Sequence, residues 1–214
     1  MTPIDFWFDP ISPYSYLAFE RLPEALVGIS YTVAYRPIVF AALLKAHAHK
    51  GPAEIEPKRA WTFRQVHWLA HRAGIPIATP ARHPFNPLAL SRLLWATAAD
   101  GATPSRWACE TVLRHVWRSE GADAEAPARI ATLRATLVPR RDPASDDVKR
   151  QLRRATDDAL AQGVFGVPTI GVGDKRFWGF DALEMVAALL KHDPWFDAPH
   201  WEREGAPRAG VRRS

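Results

Sequence analysis

Cysteine is almost missing: Cys109 is the one thiol in 214 residues. A single cysteine excludes a disulfide framework, a Cys-x-x-Cys redox pair and any zinc site built on several thiolates. Long apolar runs are missing too. The longest, Ile38 to Leu44, falls far short of the ~20 residues a membrane helix needs, so no membrane association is expected. The opening residues, Met1 to Asp9, place no Lys or Arg ahead of an apolar stretch and offer no small-residue cleavage site. They are not expected to act as a signal peptide. What is present is 47% apolar and 24% charged, the balance of a soluble chain with a real core. A cytoplasmic globular protein is the expectation.

Lys and Arg total 28 against 23 acids, a net charge of +5. Most of those cations are arginines spread along the chain, and the densest cluster is Arg203, Arg208, Arg212 and Arg213 near the end. No aromatic-and-basic motif of the nucleic-acid modules accompanies them, so nucleic acid is not an expected partner. The surplus fits a small anionic substrate.

Residues 3–8 alternate, with Ile4, Phe6 and Phe8 on one face and Asp5 and Trp7 on the other, the pattern of a strand. Ser12 followed by Pro13 predicts a helix start, which should run to about Leu26. Ile29 to Arg36 alternates again and ends at Pro37. The opening is therefore β-α-β. From about Val39 to Gly163 the periodicity is helical, with a closing helix through Val148, Leu152, Ala155 and Ala159 that Gly163 can terminate. Val167 to Val172 then reads as a strand, Gly173-Asp174 as a turn and Lys175 to Trp178 as its hairpin partner. Asp181 and Glu184 have the spacing of a capping box for a last helix reaching about Lys191.

The expected fold class is α/β: a thioredoxin-like four-stranded sheet with a large all-helical inserted domain. Residues 1–40 and 164–198 would form the discontinuous thioredoxin-like domain, 41–163 the insertion, and 199–214 a flexible basic tail. In that layout Ser12 and Ser15 occupy both cysteine positions of the first βα turn, which excludes disulfide chemistry there. The turn keeps another capacity. A helix N-terminus favours a bound anion, and a serine hydroxyl there can donate to a thiolate. Plain N-capping is the competing role for Ser12. Pro168 cannot donate to a sheet ladder, and a cis Val167–Pro168 bond would turn the Val167 backbone toward an extended peptide-like ligand.

Phe8-Asp-Pro-Ile-Ser12-Pro-Tyr-Ser15-Tyr-Leu-Ala, Phe85-Asn-Pro-Leu, Val164-Phe-Gly-Val-Pro-Thr-Ile and Phe177-Trp-Gly-Phe-Asp181 together resemble the 2-hydroxychromene-2-carboxylate isomerases. Those enzymes are relatives of kappa-class glutathione transferases within the DsbA-like thioredoxin group, and the resemblance covers about residues 3–192. It implies a glutathione-dependent isomerase, usually a homodimer, that interconverts 2-hydroxychromene-2-carboxylate and trans-o-hydroxybenzylidenepyruvate in aromatic degradation. Residue by residue, it implies that Ser12 holds the glutathione sulfur and that Val167 and Pro168 align the tripeptide. Asp181 would meet the γ-glutamyl amino group, with the capping box as its competing role, and Lys58 a glutathione carboxylate, with a solvated loop lysine as the competing role. The chain departs from the pattern at His49, where relatives carry Asn, and at Phe180, where relatives carry a small or polar residue; both positions touch the implied cofactor site. The implied chemistry is reversible thiolate addition to the enone, which frees rotation about the former double bond.

His67 and His71 share a helix face, but no acid or third ligand accompanies them, so surface histidines are expected rather than a metal site. Cys109 reads as a small core hydrophobe. Two rivals stand beside the isomerase: a kappa-like glutathione transferase, and a non-catalytic thioredoxin-like binding module.

Overall fold

The computed structural model describes residues 1–197 and 199–205. Among them, β1 (Thr2–Phe8), α1 (Pro13–Ala25) and β2 (Tyr31–Pro37) open the chain, and β3 (Thr169–Val172), β4 (Lys175–Trp178) and α8 (Leu183–Leu190) return to it. Between them lie α2 (Phe40–Ala46), α3 (Glu56–Ala73), α4 (Leu88–Thr97), α5 (Arg106–Trp117), α6 (Pro127–Leu137) and α7 (Asp146–Ala161). The strands form one sheet in the order β2-β1-β3-β4, parallel between β1 and β2 and antiparallel elsewhere. This is the thioredoxin-like arrangement expected from the order of elements.

Alternation along β1 decides what covers each face. Ile4, Phe6 and Phe8 join an apolar cluster with Tyr16, Leu17, Phe19 and Leu22 of α1. The same cluster takes in Val66, Leu90, Leu94, Val112, Leu113 and Trp117 from the helical stretch, so α1 is packed between the sheet and the inserted helices. On the opposite face, fully buried Trp7 packs with Ile38, Leu43, Ala159, Val164 and Val167. Gly171 makes room for that indole, since a Cβ there would lie 2.6 Å from its ring. Pro23 sits inside α1, where its missing N–H leaves the Phe19 carbonyl without the usual helical donor. The Arg106 guanidinium donates to that carbonyl at 3.4 Å and lies 4.3 Å from the Phe19 ring centre.

The end of α7 aims the chain at the first βα turn. Gly163 adopts φ +78°, the Val164 N–H donates to the Ala159 carbonyl and the Gly163 N–H to the Leu160 carbonyl, each at 3.0 Å. These two bonds make a Schellman stop. Three expectations change at this end of the molecule. The third strand begins at Thr169 rather than Val167, because the proline before it has no N–H for the ladder. The Asp181–Glu184 capping box does not form: α8 is preceded by Ala182 at helical φ −72° and ψ −8°, without a side-chain cap. A capping residue needs extended dihedrals, and the Asp181 carboxylate instead leans back over Gly179, 2.5 Å from where a Cβ would stand. Residues 199–205, expected in the tail, carry a short helix, α9 (His200–Glu204). Its Trp201 ring lies 5.3 Å from that of Phe177. The rest of the expected tail, 206–214, lies outside the described residues. Among the described residues no helix is long and apolar enough to cross a membrane.

Candidate functional site

Ser12 is the extended N-cap of α1, at φ −88° and ψ 116°, and its Oγ accepts the Ser15 N–H at 3.2 Å. The same hydroxyl faces the Val167 carbonyl, 3.4 Å away. The Val167–Pro168 peptide is cis, as expected, and the Pro168 carbonyl accepts the Gly179 N–H at 2.9 Å. Ser12 is therefore both a cap and a hydrogen-bond partner of the segment that enters β3. Ser15, the other residue in a cysteine position, is fully buried, and its Oγ has no hydrogen-bond partner among the described residues.

The remaining expected residues lie at different distances from this turn. Tyr14, one residue inside α1, donates its hydroxyl to Gln65 of α3 at 2.7 Å. Burial raises the Tyr14 pKa first, and the negative charge of Asp181 raises it further, so Asp181 lies within electrostatic reach of the Tyr14 hydroxyl. Asp181 is exposed, and Phe180 is half-buried against the main cluster. Lys58 is exposed in the first turn of α3 and, seven residues before Gln65, shares the helix face that meets Tyr14. His49 is exposed on the segment after α2; its backbone N–H donates to Leu44, and its side chain makes no hydrogen bond that ties it to Ser12 among the described residues. His67 pairs with Thr79 at 2.9 Å, and the His71 ring lies 5.9 Å from that of Trp68, so each histidine is occupied separately.

Three residues that the sequence reading passed over hold the turn itself. Asp9, 1% exposed, accepts the Ile11 N–H at 3.0 Å on one carboxylate oxygen and the Phe40 N–H at 2.9 Å on the other. Burial pushes its carboxyl up to about 7 against the pull of those two N–H groups. Trp117 Nε1 donates to the Pro10 carbonyl at 2.9 Å, and His83 Nε2 meets the Ile11 carbonyl at 2.9 Å. The Asp9 contact to Ile11 is an Asx-turn, which Asp-Pro after a strand could have signalled. The others join residues far apart in sequence and leave no local trace.

The whole arrangement, from β1 through the insertion to α8, matches the family described as DSBA-like thioredoxin domain over residues 3–191. The chain belongs to that family. Among curated relatives of this DsbA-like protein are 2-hydroxychromene-2-carboxylate isomerases. That of Sphingobium xenophagum is 29% identical over 87% of this chain and 97% of its own length. That of Pseudomonas putida is 28% identical over 87% of this chain and 93% of its own length. The human protein named glutathione S-transferase kappa 1 is 27% identical over 87% of this chain and 90% of its own length. A solved 2-hydroxychromene-2-carboxylate isomerase superposes with a TM-score of 0.77 at 23% identity, covering 96% of this chain and all of its own, which shows a shared fold.

Proposed function

We propose that the protein is a glutathione-dependent isomerase that interconverts 2-hydroxychromene-2-carboxylate and trans-o-hydroxybenzylidenepyruvate. The observation that carries the reading is the Ser12 hydroxyl at the α1 N-terminus, 3.4 Å from the Val167 carbonyl beside the cis Val167–Pro168 bond. The names of the relatives above support the same class of chemistry.

The donor set fits glutathione. Ser12 and the first N–H groups of α1 suit a thiolate, exposed Asp181 suits an ammonium, and exposed Lys58 suits a carboxylate. Val167 and Pro168 offer backbone to the tripeptide, beside half-buried Phe180, which packs on the main cluster, and exposed His49 is the remaining residue that the resemblance assigns to this cofactor. Bound glutathione supplies the sulfur nucleophile that adds to the substrate alkene and later leaves it. The chain's own work is to hold that sulfur ionised. The Ser12 Oγ–H turns from Val167 toward the anion while its lone pair keeps the Ser15 N–H, and the helix dipole adds positive potential. Substrate carboxylate binding falls to exposed cations on α3 such as Arg59, whose charge reaches His83 beside the turn. A homodimer in the cytoplasm belongs to the same reading, and sedimentation tests the assembly.

The experiment is turnover of trans-o-hydroxybenzylidenepyruvate with and without glutathione, in wild type, Ser12→Ala and Ser15→Ala. Losing a charge-assisted hydrogen bond of roughly 1.5–3 kcal/mol should cost Ser12→Ala about tenfold to a hundredfold near neutral pH. Ser15→Ala should be close to wild type, since its hydroxyl is buried and unpartnered. Equal rates for wild type and Ser12→Ala would remove Ser12 from the mechanism. The kappa-named relatives favour one second reading, a transferase, which would conjugate a chloronitroarene and leave the enone isomer unchanged.

A further inference from the structure

We propose that His83 is a positioning residue for Ser12: its neutral imidazole is the clamp by which the inserted helices hold the first βα turn. The proposal rests on the reading of Ser12 as the thiolate-holding residue.

The turn from Asp9 to Ser12 has two carbonyls that its own backbone does not use. Both are taken by ring N–H groups from the insertion, Pro10 by Trp117 of α5 and Ile11 by His83. The N–H groups of Ile11 and Ser12 are satisfied internally, Ile11 by the Asp9 carboxylate and Ser12 by the Asp9 carbonyl. The two rings therefore fix the Pro10–Ile11 backbone that leads into Ser12. The indole cannot titrate and the imidazole can.

A carbonyl only accepts, so Nε2 of His83 must carry a proton, and in the neutral ring Nδ1 is a bare lone pair. Nδ1 is buried with no partner among the described residues. The ring is boxed by Phe63 at 5.1 Å, Trp117 at 5.8 Å and Phe85 at 6.1 Å between centroids. A second proton would strengthen the bond to Ile11 but leave Nδ1–H with no acceptor. The ring can hydrate that N–H only by leaving the box, and leaving the box releases Ile11. The charged group that reaches it is Arg59 from α3, which opposes a second positive charge. Phe63 on α3, Trp117 on α5, Phe85 and the Pro10–Ile11 backbone are uncharged. The acid in the turn, Asp9, spends both oxygens on Ile11 and Phe40, and its own titration near 7 is common to wild type and the His83 variants, so the difference between them reads His83. Burial, then Arg59, holds the imidazole below the usual histidine range against the Ile11 bond. The clamp is thus intact at neutral pH and opens on the acid side.

Two variants separate the donor from the titration. His83→Gln keeps a neutral N–H donor, and His83→Phe fills the box without one. Amide hydrogen exchange over residues 9–16, corrected for its intrinsic pH dependence, is measured from about pH 5 to about pH 8 together with turnover. Wild type should show exchange rising toward acid, His83→Gln should lack that rise, and His83→Phe should exchange about fivefold to tenfold faster throughout, with kcat lowered and KM kept. Exchange in His83→Phe equal to wild type, or the same acid rise in His83→Gln, would overturn the clamp. Should a variant fold poorly, ¹⁵N shifts of His83 in the wild-type protein decide: a proton on Nδ1 rather than Nε2 at neutral pH refutes it. Exchange and tautomer are read without glutathione, so a wrong cofactor reading shows separately, as wild type without turnover.

Discussion

Replacing Asp9 with asparagine should change how stability responds to pH more than it changes stability at any single pH. The Asp9 carboxyl is 1% exposed and is raised from 3.8 to about 7, by burial first, against two backbone N–H donors. A folded-state value above the unfolded one means that the native protein binds this proton more tightly. Its stabilising contribution is complete below the unfolded value and is lost as pH rises, levelling off once the folded value is passed. The full difference is about 4 kcal/mol, with a slope of about 1.4 kcal/mol per pH unit, so roughly 2–3 kcal/mol disappears between about pH 5 and about pH 7. His83 and His115 act with the opposite sign, because burial lowers both and stability is then gained as pH rises toward the ordinary histidine value. Wild type alone would blur the two effects, whereas the difference from Asp9→Asn isolates the carboxyl. Asparagine keeps one acceptor but turns an NH₂ toward the other backbone N–H, a pH-independent cost of about 1–3 kcal/mol. Urea denaturation followed by tryptophan fluorescence should therefore put wild type well ahead near pH 5, the gap shrinking by roughly 2–3 kcal/mol on the way to about pH 7. A gap that stays constant over that range would refute the argument.

Asp181→Asn should weaken glutathione binding by about tenfold to a hundredfold, measured by calorimetry, through loss of a charge-assisted bond to the ammonium. Its unfolding midpoint should not move, since Asp181 caps no helix; a lowered midpoint would restore the capping role. Cys109, fully buried and with its thiol pushed up by desolvation, should resist alkylation in the native protein and react once in denaturant. Alkylation at equal rates in both states would contradict the packing around it.

Local signals carried most of the fold. The alternation at 3–8, the Ser12-Pro13 start and the Gly163 stop are short-range patterns whose physics acts within a turn or a strand, and each has a counterpart in the structure. The Asp181–Glu184 spacing failed because a capping box is decided by the dihedrals of the residue before the helix, and Gly179, at φ +104°, sets the chain on another path. At the candidate site, Ser12 was legible because Ser-Pro is a strong helix-start dipeptide, and the cis Val167–Pro168 bond because X–Pro is the one linkage where cis costs little and this proline enters a strand beside the first βα turn. His83 and Trp117 were not, because ring N–H groups meeting carbonyls 72 and 107 positions away have no sequence spacing to recognise them by. Asp9 was half legible: its bond to Ile11 is local, and its bond to Phe40 depends on where β2 ends.

The place of β1 in the sheet sets an order of assembly. One side of it pairs with β2, which follows directly, and the other with β3, where Ile4 meets Val172. A ribosome delivers β1, α1, β2 and the helices up to α7 before it delivers β3. Until then the β1 backbone at Ile4–Trp7 is an open hydrogen-bonding edge, of the kind that recruits strands from other chains. The inserted helices can already shelter Phe6 and Phe8 at that stage, and α7 can reach Trp7, but none of them can supply the missing ladder. Val167 reaches Ser12 only with the segment that closes that edge, so the site and the sheet are completed together, late in synthesis.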